Sequence, residues 1–187
     1  GNDSLTAGAG NDSLLGGDGD DTFVLAGNLT TNDTIAGGSG TDTLTFTDDG
    51  AASTDNLDHV SGIETITLGN ATTSVTTVNG LVDSGATLTV DGSGLTAALT
   101  WNGAAETDGA FSVTGGSAAD SITGGTGNDT LNGGNGNNTL IGGSGTDSLV
   151  GGNDDDTFVV NAVTDFAAGE TVTGSTGTDT LKLMKAG

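Results

Sequence analysis

The stretch GGTGNDTLNGGNGNNTLIGGSGTDSLV, residues 124–150, repeats one pattern every nine residues. Each unit reads G-G-x-G-x-D-x-U-x, where U is an aliphatic or aromatic residue. Five units run in tandem from 115 to 159, and a first series occupies 1–45, with a longer unit at 25–36. A degenerate unit and a last unit, GSTGTDTLK, follow the second series. A period this regular indicates one structural unit used many times.

The order of residue types within the unit predicts a solenoid. Three residues around U suit a short strand in which U points inward and its neighbours point outward. The six preceding residues must reverse the chain, and glycine allows the positive φ angles and close stacking that this requires. Two units then form one 18-residue coil, and stacked coils bury a ladder of Leu, Ile and Phe. We therefore predict an all-β fold, a parallel β-roll or right-handed β-helix solenoid.

The acid at position six predicts calcium in the glycine-rich turns. Acids two units apart lie on the same edge of neighbouring coils, about 4.8 Å apart. Two bare carboxylates at that distance repel each other, and a Ca²⁺ ion between them reverses the sign. Ca²⁺ prefers six to eight oxygen ligands, which carboxylates and turn carbonyls supply. Folding should then be coupled to metal binding.

The spacing pairs particular acids. Two regular units separate Asp129 from Asp147 and Asp3 from Asp21, and a regular unit plus the longer unit separates Asp12 from Asp33 and Asp21 from Asp42. Near the end, Asp147 is expected to pair with Glu170, and Asp156 with Asp179. Asn138 replaces an acid, so its sites with Asp120 and Asp156 should be weaker. The predicted metal ligands are Asp3, Asp12, Asp21, Asp33, Asp42, Asp120, Asp129, Asn138, Asp147, Asp156, Glu170 and Asp179, with backbone carbonyls of turn residues such as Gly17, Gly19, Gly125, Gly127, Gly143 and Gly145.

The composition supports the same partner. The 187 residues carry 25 acids against two lysines, for a formal charge of −23, and contain no cysteine or proline. Such a charge repels nucleic acid and anionic membranes, and a divalent cation is its natural partner. No stretch approaches the roughly 20 apolar residues that cross a bilayer. We expect several Ca²⁺ ions, no nucleic acid and no membrane insertion.

These units resemble the RTX, or haemolysin-type calcium-binding, nonapeptide repeats. The resemblance covers most of 1–45 and 115–182, with departures at Ala118, Asn138, Asp154 and the degenerate unit at 160–173. It implies a parallel β-roll with Ca²⁺ in its turns. It also implies type I secretion from a Gram-negative bacterium, with the chain unfolded in the cytosol and folding outside the cell.

The middle of the chain lacks the nonapeptide pattern but keeps strand-like pieces. These are IETITL (63–68), SVTTV (74–78), ATLTV (86–90), AALTW (97–101) and AFSVT (110–114). Equivalent points recur at a near-constant spacing, close to Ile66, Leu88 and Phe111. The pattern favours one continuous solenoid with coils slightly longer than those of the roll, and the alternative is a small β-sandwich inserted between two rolls.

We therefore divide the chain into an RTX β-roll at 1–45, a solenoid segment without the repeat at 46–114, a second RTX β-roll at 115–159 and an irregular RTX coil at 160–187. The sequence offers no nucleophile with an activating base, so we expect no enzyme. We expect a calcium-binding structural segment of a secreted bacterial cell-surface protein, a self-assembling S-layer subunit with lattice contacts between copies. The alternatives are the stalk of an RTX adhesin and the calcium-triggered folding and secretion module of an RTX exoenzyme. Because the chain opens within a repeat, we expect it to be part of a longer protein.

Overall fold

The computed structural model describes residues 1–8, 10–25, 29, 32–47, 57–162, 165 and 168–184. Within them the chain winds as a parallel β-solenoid with two faces. One face is a nine-stranded parallel sheet made of β1 Ser4–Thr6, β3 Thr22–Leu25, β5 Thr43–Phe46, β7 Thr65–Thr67, β9 Thr87–Asp91, β11 Ala110–Thr114, β13 Thr130–Gly134, β15 Ser148–Asn153 and β17 Thr171–Thr176.

The opposite face consists of two parallel sheets. The first is formed by β2 Ser13–Asp18, β4 Thr34–Ser39 and β6 Val60–Ser61; the second by β8 Thr73–Thr76, β10 Leu99–Asn102, β12 Ser121–Thr123, β14 Thr139–Ile141, β16 Thr157–Val160 and β18 Thr180–Leu183. Each odd-numbered strand pairs with the next odd-numbered strand, so successive strands alternate between the two faces.

The middle segment is part of this solenoid. Strands β7, β9 and β11 pair in order between β5 and β13, and β8 and β10 lead directly into β12. The nine-stranded face is therefore unbroken from the first repeat array to the second, and the described residues form no separate sandwich. The strand-like pieces identified in the sequence become β7 to β11, and β6 is an addition that the sequence pattern did not reveal.

Inward-facing side chains at equivalent positions of successive coils stack on one another. On the nine-stranded face the register aligns Leu5, Phe23, Leu44, Ile66, Val90, Val113, Leu131, Leu149 and Val172. On the opposite face it aligns Val75, Trp101, Ile122, Leu140, Phe158 and Leu181. Trp101 and Phe111 meet edge to face, with ring centroids 5.5 Å apart. The core is thus two apolar ladders facing each other, as position U of the repeat requires.

The predicted alignment of the middle coils is wrong at its first step. Ile66 pairs with Val90 and not with Leu88, whereas Leu88 does pair with Phe111 as predicted. The true partner lies two positions beyond the predicted one. A shift of two residues keeps the same side chains inside, because side chains alternate between the faces with a period of two. The hydrophobic pattern alone therefore cannot distinguish the two registers.

Candidate calcium sites

The residues at the acid position form a ladder along each edge of the solenoid. One side-chain oxygen of each accepts a hydrogen bond from the backbone N–H of the residue one coil earlier. In the first array these bonds run from Asp3 to Asp21, Asp12 to Asp33 and Asp21 to Asp42, at 2.7 to 2.8 Å. In the second array they run from Asp120 to Asn138, Asp129 to Asp147, Asn138 to Asp156, Asp147 to Glu170 and Asp156 to Asp179, at 2.8 to 3.0 Å. The structure therefore brings together every pair that the spacing predicted.

Burial separates the inner members of the ladder from the ends. The inner side chains, which are at most 2% exposed, are Asp21, Asp33, Asp42, Asp120, Asp129, Asn138, Asp147 and Asp156. Asp12 and Glu170 are half-buried, and Asp3 and Asp179 are exposed. Burying a carboxylate is costly unless hydrogen bonds or a cation compensate its charge. The surroundings of the second carboxylate oxygen, Oδ2, therefore determine whether the protein itself compensates the buried charge or leaves this to a cation.

Four of these carboxylates keep a buried Oδ2 with no hydrogen-bond partner in the described part of the chain. They belong to Asp21, Asp42, Asp147 and Asp156. In each of these units the second glycine has a positive φ, at Gly17, Gly38, Gly143 and Gly152 respectively. Only glycine adopts such angles readily. The unpartnered oxygen and the positive-φ glycine thus occur together.

Asp120 and Asp129 show the other arrangement. The N–H of Gly116 donates to Asp120 Oδ2 at 2.8 Å, and the N–H of Gly125 donates to Asp129 Oδ2 at 2.7 Å. Neither glycine has a positive φ. The second glycine therefore determines whether its own N–H satisfies the carboxylate or leaves that oxygen for another partner.

In several units the space beside the first glycine also holds a carbonyl oxygen of the next coil. A Cβ added at Gly16 would touch both Asp21 Oδ2 and the carbonyl oxygen of Gly37, one coil later. The same holds at Gly124, against Asp129 Oδ2 and the Gly142 carbonyl. Two acceptor oxygens thus face one small space that only glycine leaves open. Because neither oxygen can donate a proton, a cation suits this arrangement.

Asn138 shows what the space requires when no carboxylate is present. Its Nδ2 donates to the carbonyl of Gly136 at 2.8 Å and to the carbonyl of Gly151 at 3.4 Å. The Gly151 carbonyl stands where the Gly37 and Gly142 carbonyls stand in the acid units. The Nδ2 group of Asn138 therefore supplies a hydrogen-bond donor, with its partial positive charge, where the acid units have only acceptor oxygens.

The predicted carbonyl ligands at the other glycines lie against the next coil. The carbonyls of Gly17, Gly19, Gly125 and Gly127 point at the glycines that stack on them, which are Gly38, Gly40, Gly143 and Gly145. The Gly125 carbonyl also accepts a hydrogen bond from the N–H of Ser144, at 3.0 Å. The sequence analysis did not name the first-glycine carbonyls, such as those of Gly37 and Gly142, that lie beside the carboxylates of the preceding coil.

Burial disfavours the ionised form of several of these carboxyl groups. It raises the pKa of Asp120, Asp129 and Asp156, while backbone hydrogen bonds oppose the shift. It raises the pKa of Asp147 to about 6, and the charges of Asp129, Glu170 and Asp165 add to that effect. A cation between the coils would favour the ionised form of these groups. These carboxyl groups therefore ionise more readily when a positive charge lies beside them.

The donor set fits Ca²⁺. The sites offer only carboxylate and carbonyl oxygens, which Ca²⁺ prefers, and neither thiol nor paired imidazole. No group of three or more His, Asp or Glu side chains converges on one point in the described ranges. Each ion would be held by acids of two stacked coils together with first-glycine carbonyls. Bound there, Ca²⁺ supplies the positive charge that offsets the stacked carboxylates.

The sequence analysis missed two carboxylates. Glu64 extends the first ladder by one coil, because its Oε2 accepts the N–H of Asp42 at 2.7 Å. The signal was present, since GIETIT (62–67) matches GTDTLT (40–45) with Glu in place of Asp.

Glu106 lies in the middle segment and is fully buried. Its two oxygens accept the N–H groups of Gly80, Val82, Thr107 and Asp108 at 2.9 to 3.1 Å. Burial alone would raise the pKa of Glu106, but hydrogen bonds from the backbone N–H groups of Asp108, Val82, Thr107 and Gly109 outweigh it and lower the pKa. Here backbone N–H groups take the role that a cation would have in the arrays. No local sequence pattern marks this residue.

A parallel β-solenoid with stacked carboxylates in glycine turns defines a class of calcium-binding repeat protein. The chain matches the RTX calcium-binding nonapeptide repeat in four copies, at 1–27, 30–48, 114–149 and 133–167. These copies cover just over half of the chain, and the chain belongs to this family. No curated protein and no solved structure gives a significant match.

The chain is a calcium-binding structural segment, and the RTX solenoid is a non-catalytic fold. RTX repeats are typical of secreted proteins. Across the described ranges, no helix has the length and apolar character needed to span a membrane.

Proposed function

We propose that this chain is the calcium-dependent structural segment of a secreted bacterial cell-surface protein that assembles into an S-layer. The observation that carries the calcium part of the proposal is the buried Oδ2 of Asp21, Asp42, Asp147 and Asp156. Each of these oxygens has no hydrogen-bond donor within the described residues, and each lies beside the first glycine of its own unit. A buried charge in this state is unfavourable, so the folded solenoid requires a cation.

Calcium dependence suits export by type I secretion. With little calcium, stacked carboxylates repel each other and the acidic chain stays expanded. At millimolar calcium outside the cell the same carboxylates bind the ion, and binding free energy becomes folding free energy. The ion concentration thus determines in which compartment the solenoid forms.

Two surface features support lateral or end-to-end assembly. Asp20, Asp154 and Asp155 are exposed, and each uses one carboxylate oxygen to accept a backbone N–H one coil away. The remaining oxygens face solvent and suit calcium bridges between copies. In addition, Leu181, Leu183 and Met184 on the last described coil are 45% to 70% exposed, an apolar surface that a second copy would cover.

The stalk of an adhesin and the folding module of an exoenzyme share the same calcium chemistry. They differ from an S-layer subunit in assembly, because a spacer or a folding module functions as a monomer. The degree of calcium-dependent assembly therefore discriminates between these functions.

Sedimentation velocity of the chain in EGTA and then in millimolar Ca²⁺ tests the proposal, with equal Mg²⁺ as the control. We expect an expanded monomer in EGTA, large regular assemblies in Ca²⁺ and little change in Mg²⁺, which prefers tighter octahedral sites. Compaction without assembly would reject the S-layer function and favour the spacer or secretion module. No change in Ca²⁺ would reject calcium-coupled folding altogether.

A further inference from the structure

The calcium ladder continues beyond the matched repeats at one place. Strand β7 pairs with β5 so that Thr65 lies opposite Thr43, which places Glu64 at the acid position beside Asp42. Glu64 Oε2 accepts the N–H of Asp42 at 2.7 Å, as Asp42 Oδ1 accepts the N–H of Asp21 at 2.8 Å. Glu64 lies between the matched stretches that end at 48 and begin at 114. Glu64, which lies outside the matched repeats, thus accepts the same hydrogen bond as the acids within them.

A carbonyl oxygen completes the same arrangement. Gly37 lies against both Asp42 Oδ2 and the carbonyl oxygen of Gly62, so that a Cβ at Gly37 would collide with both. Asp42 is 0% exposed, and its Oδ2 has no hydrogen-bond partner among the described residues. The Gly62 carbonyl therefore stands where the Gly37 carbonyl stands beside Asp21. A buried, unpartnered carboxylate oxygen and a carbonyl oxygen again face one space.

The turn before Glu64 is shorter than the turn before Asp42. Five residues separate Gly37 from Thr43, whereas two residues separate Gly62 from Thr65. Glu64 nevertheless keeps the register of the acid position, because Thr65 pairs with Thr43.

Glu64 also borders a cleft open to solvent. The cleft has a volume of about 30 Å³, and its lining includes Gly62, Glu64 and Asp83. A cavity of this size has room for about one water molecule. The cleft gives an ion or its water ligands a route to the Glu64 carboxylate from the side of the middle segment.

We propose that Asp42, the Gly62 carbonyl and Glu64 bind a further Ca²⁺ ion at the junction of the first repeat array and the middle segment. This inference rests on the proposed calcium dependence of the arrays. The ion joins the last coil of the first array to the first coil of the middle segment. Calcium therefore links the two parts of the solenoid as well as the coils within each array.

Ion counting by native mass spectrometry at saturating Ca²⁺ tests the junction site. The full chain, Glu64→Gln and Asp83→Asn are compared; Asp83 is an exposed carboxylate on the same cleft, so Asp83→Asn is the matched control. We expect Glu64→Gln to carry one ion fewer than the unmodified chain and Asp83→Asn to carry the same number. An unchanged count in Glu64→Gln overturns the junction site and leaves the array sites intact.

A crystal structure of the unmodified chain grown in Ca²⁺ decides the matter even where Glu64→Gln does not fold. Anomalous density between Asp42 and Glu64 supports the proposal. Ions at Asp147 and Asp156 without one at Glu64 overturn the junction site alone. Absence of calcium from the arrays as well would overturn the proposed function.

Discussion

Asp147 accepts a 2.8 Å hydrogen bond from the backbone N–H of Asp129, one coil earlier, while its second carboxylate oxygen stays buried without a partner in the described part of the chain. The first oxygen joins two coils through this hydrogen bond between a backbone N–H and a side chain. The second carries charge that the protein does not neutralise. One side chain therefore serves both the stacking of coils and the binding of a cation, which explains why an acid recurs at this position.

The charge on Asp147 should make the calcium-free chain less stable as the pH rises. Burial raises the pKa of Asp147 to about 6 from an ordinary value of 3.8, so the folded state binds its proton more tightly than the unfolded state. This contribution to stability is complete below about pH 4 and is lost as the pH rises to about 6. It amounts to about 3 kcal/mol. Circular dichroism in EGTA at several pH values measures it as a loss of β-structure when the pH rises, and Asp147→Asn should flatten the dependence.

Calcium binding should show the opposite dependence on pH. The ion must displace the proton from Asp147, so the apparent affinity of that site should fall about tenfold per pH unit below pH 6. Calorimetric titration at pH 5 and pH 7.5 checks this, with proton release detected in buffers of different ionisation enthalpy. An affinity that is independent of pH over this range would contradict a site at Asp147.

Asn138→Asp should convert the amide-satisfied turn into a further calcium site. The substitution replaces the donor to the Gly136 and Gly151 carbonyls with a second acceptor. At Ca²⁺ concentrations that only just support folding, we expect a loss of about 1 to 3 kcal/mol, because the buried carbonyls and the new charge have no donor until an ion binds. In Ca²⁺ we expect at least one ion more by native mass spectrometry.

Asn137→Asp is the matched control for that experiment. Asn137 is the exposed neighbour, whose Oδ1 accepts the N–H of Asp155 at 3.2 Å. The control adds the same charge without placing it inside the turn, and its ion count should not change. Equal behaviour of the two variants would show that the added charge alone, and not its position, determines binding.

Glu106→Gln should destabilise the middle segment even when calcium saturates the arrays. The substitution turns one acceptor oxygen into an NH₂ donor that faces backbone N–H groups. We expect a loss of about 3 kcal/mol, typical of a buried charged group that loses its hydrogen bonds. Because the pKa of Glu106 is lowered, its contribution is present at neutral pH and is lost as the pH falls through that pKa.

The fluorescence of Trp101 measures the destabilisation caused by Glu106→Gln. Trp101 is the single tryptophan, it is 1% exposed, and it lies in β10 just before the Glu106 turn. Its fluorescence during urea unfolding should show a lower midpoint for Glu106→Gln and an unchanged midpoint for Asp83→Asn. A loss below about 0.5 kcal/mol would mean that the four backbone hydrogen bonds to Glu106 contribute little.

Gly142→Ala should weaken calcium binding as well as folding. An added Cβ would meet Asp147 Oδ2 and lie 2.8 Å from Asp147 Cγ, which pushes the carboxylate away from its space. Overpacking of this kind costs about 1 to 3 kcal/mol. Gly8→Ala is the control, because a Cβ there meets nothing within 4 Å. Ala7, at the first position of its unit, shows that alanine is tolerated where the acid, Asp12, is only half-buried. Thermal unfolding and calcium titration of both variants check the difference, and equal losses would contradict it.

The nonapeptide period by itself determined the parallel solenoid, the inward ladder of apolar residues and the pairs of stacked acids. Those features are local: each depends on a residue type at a fixed distance along the chain, and every unit repeats it. The tertiary structure decided the rest. It aligned Ile66 with Val90, placed Glu64 beside Asp42, and gathered four N–H groups from two turns around Glu106. These relationships join coils of unequal length, where sequence distance no longer measures spatial distance, so only the stacking of one coil on the next fixes which residues meet.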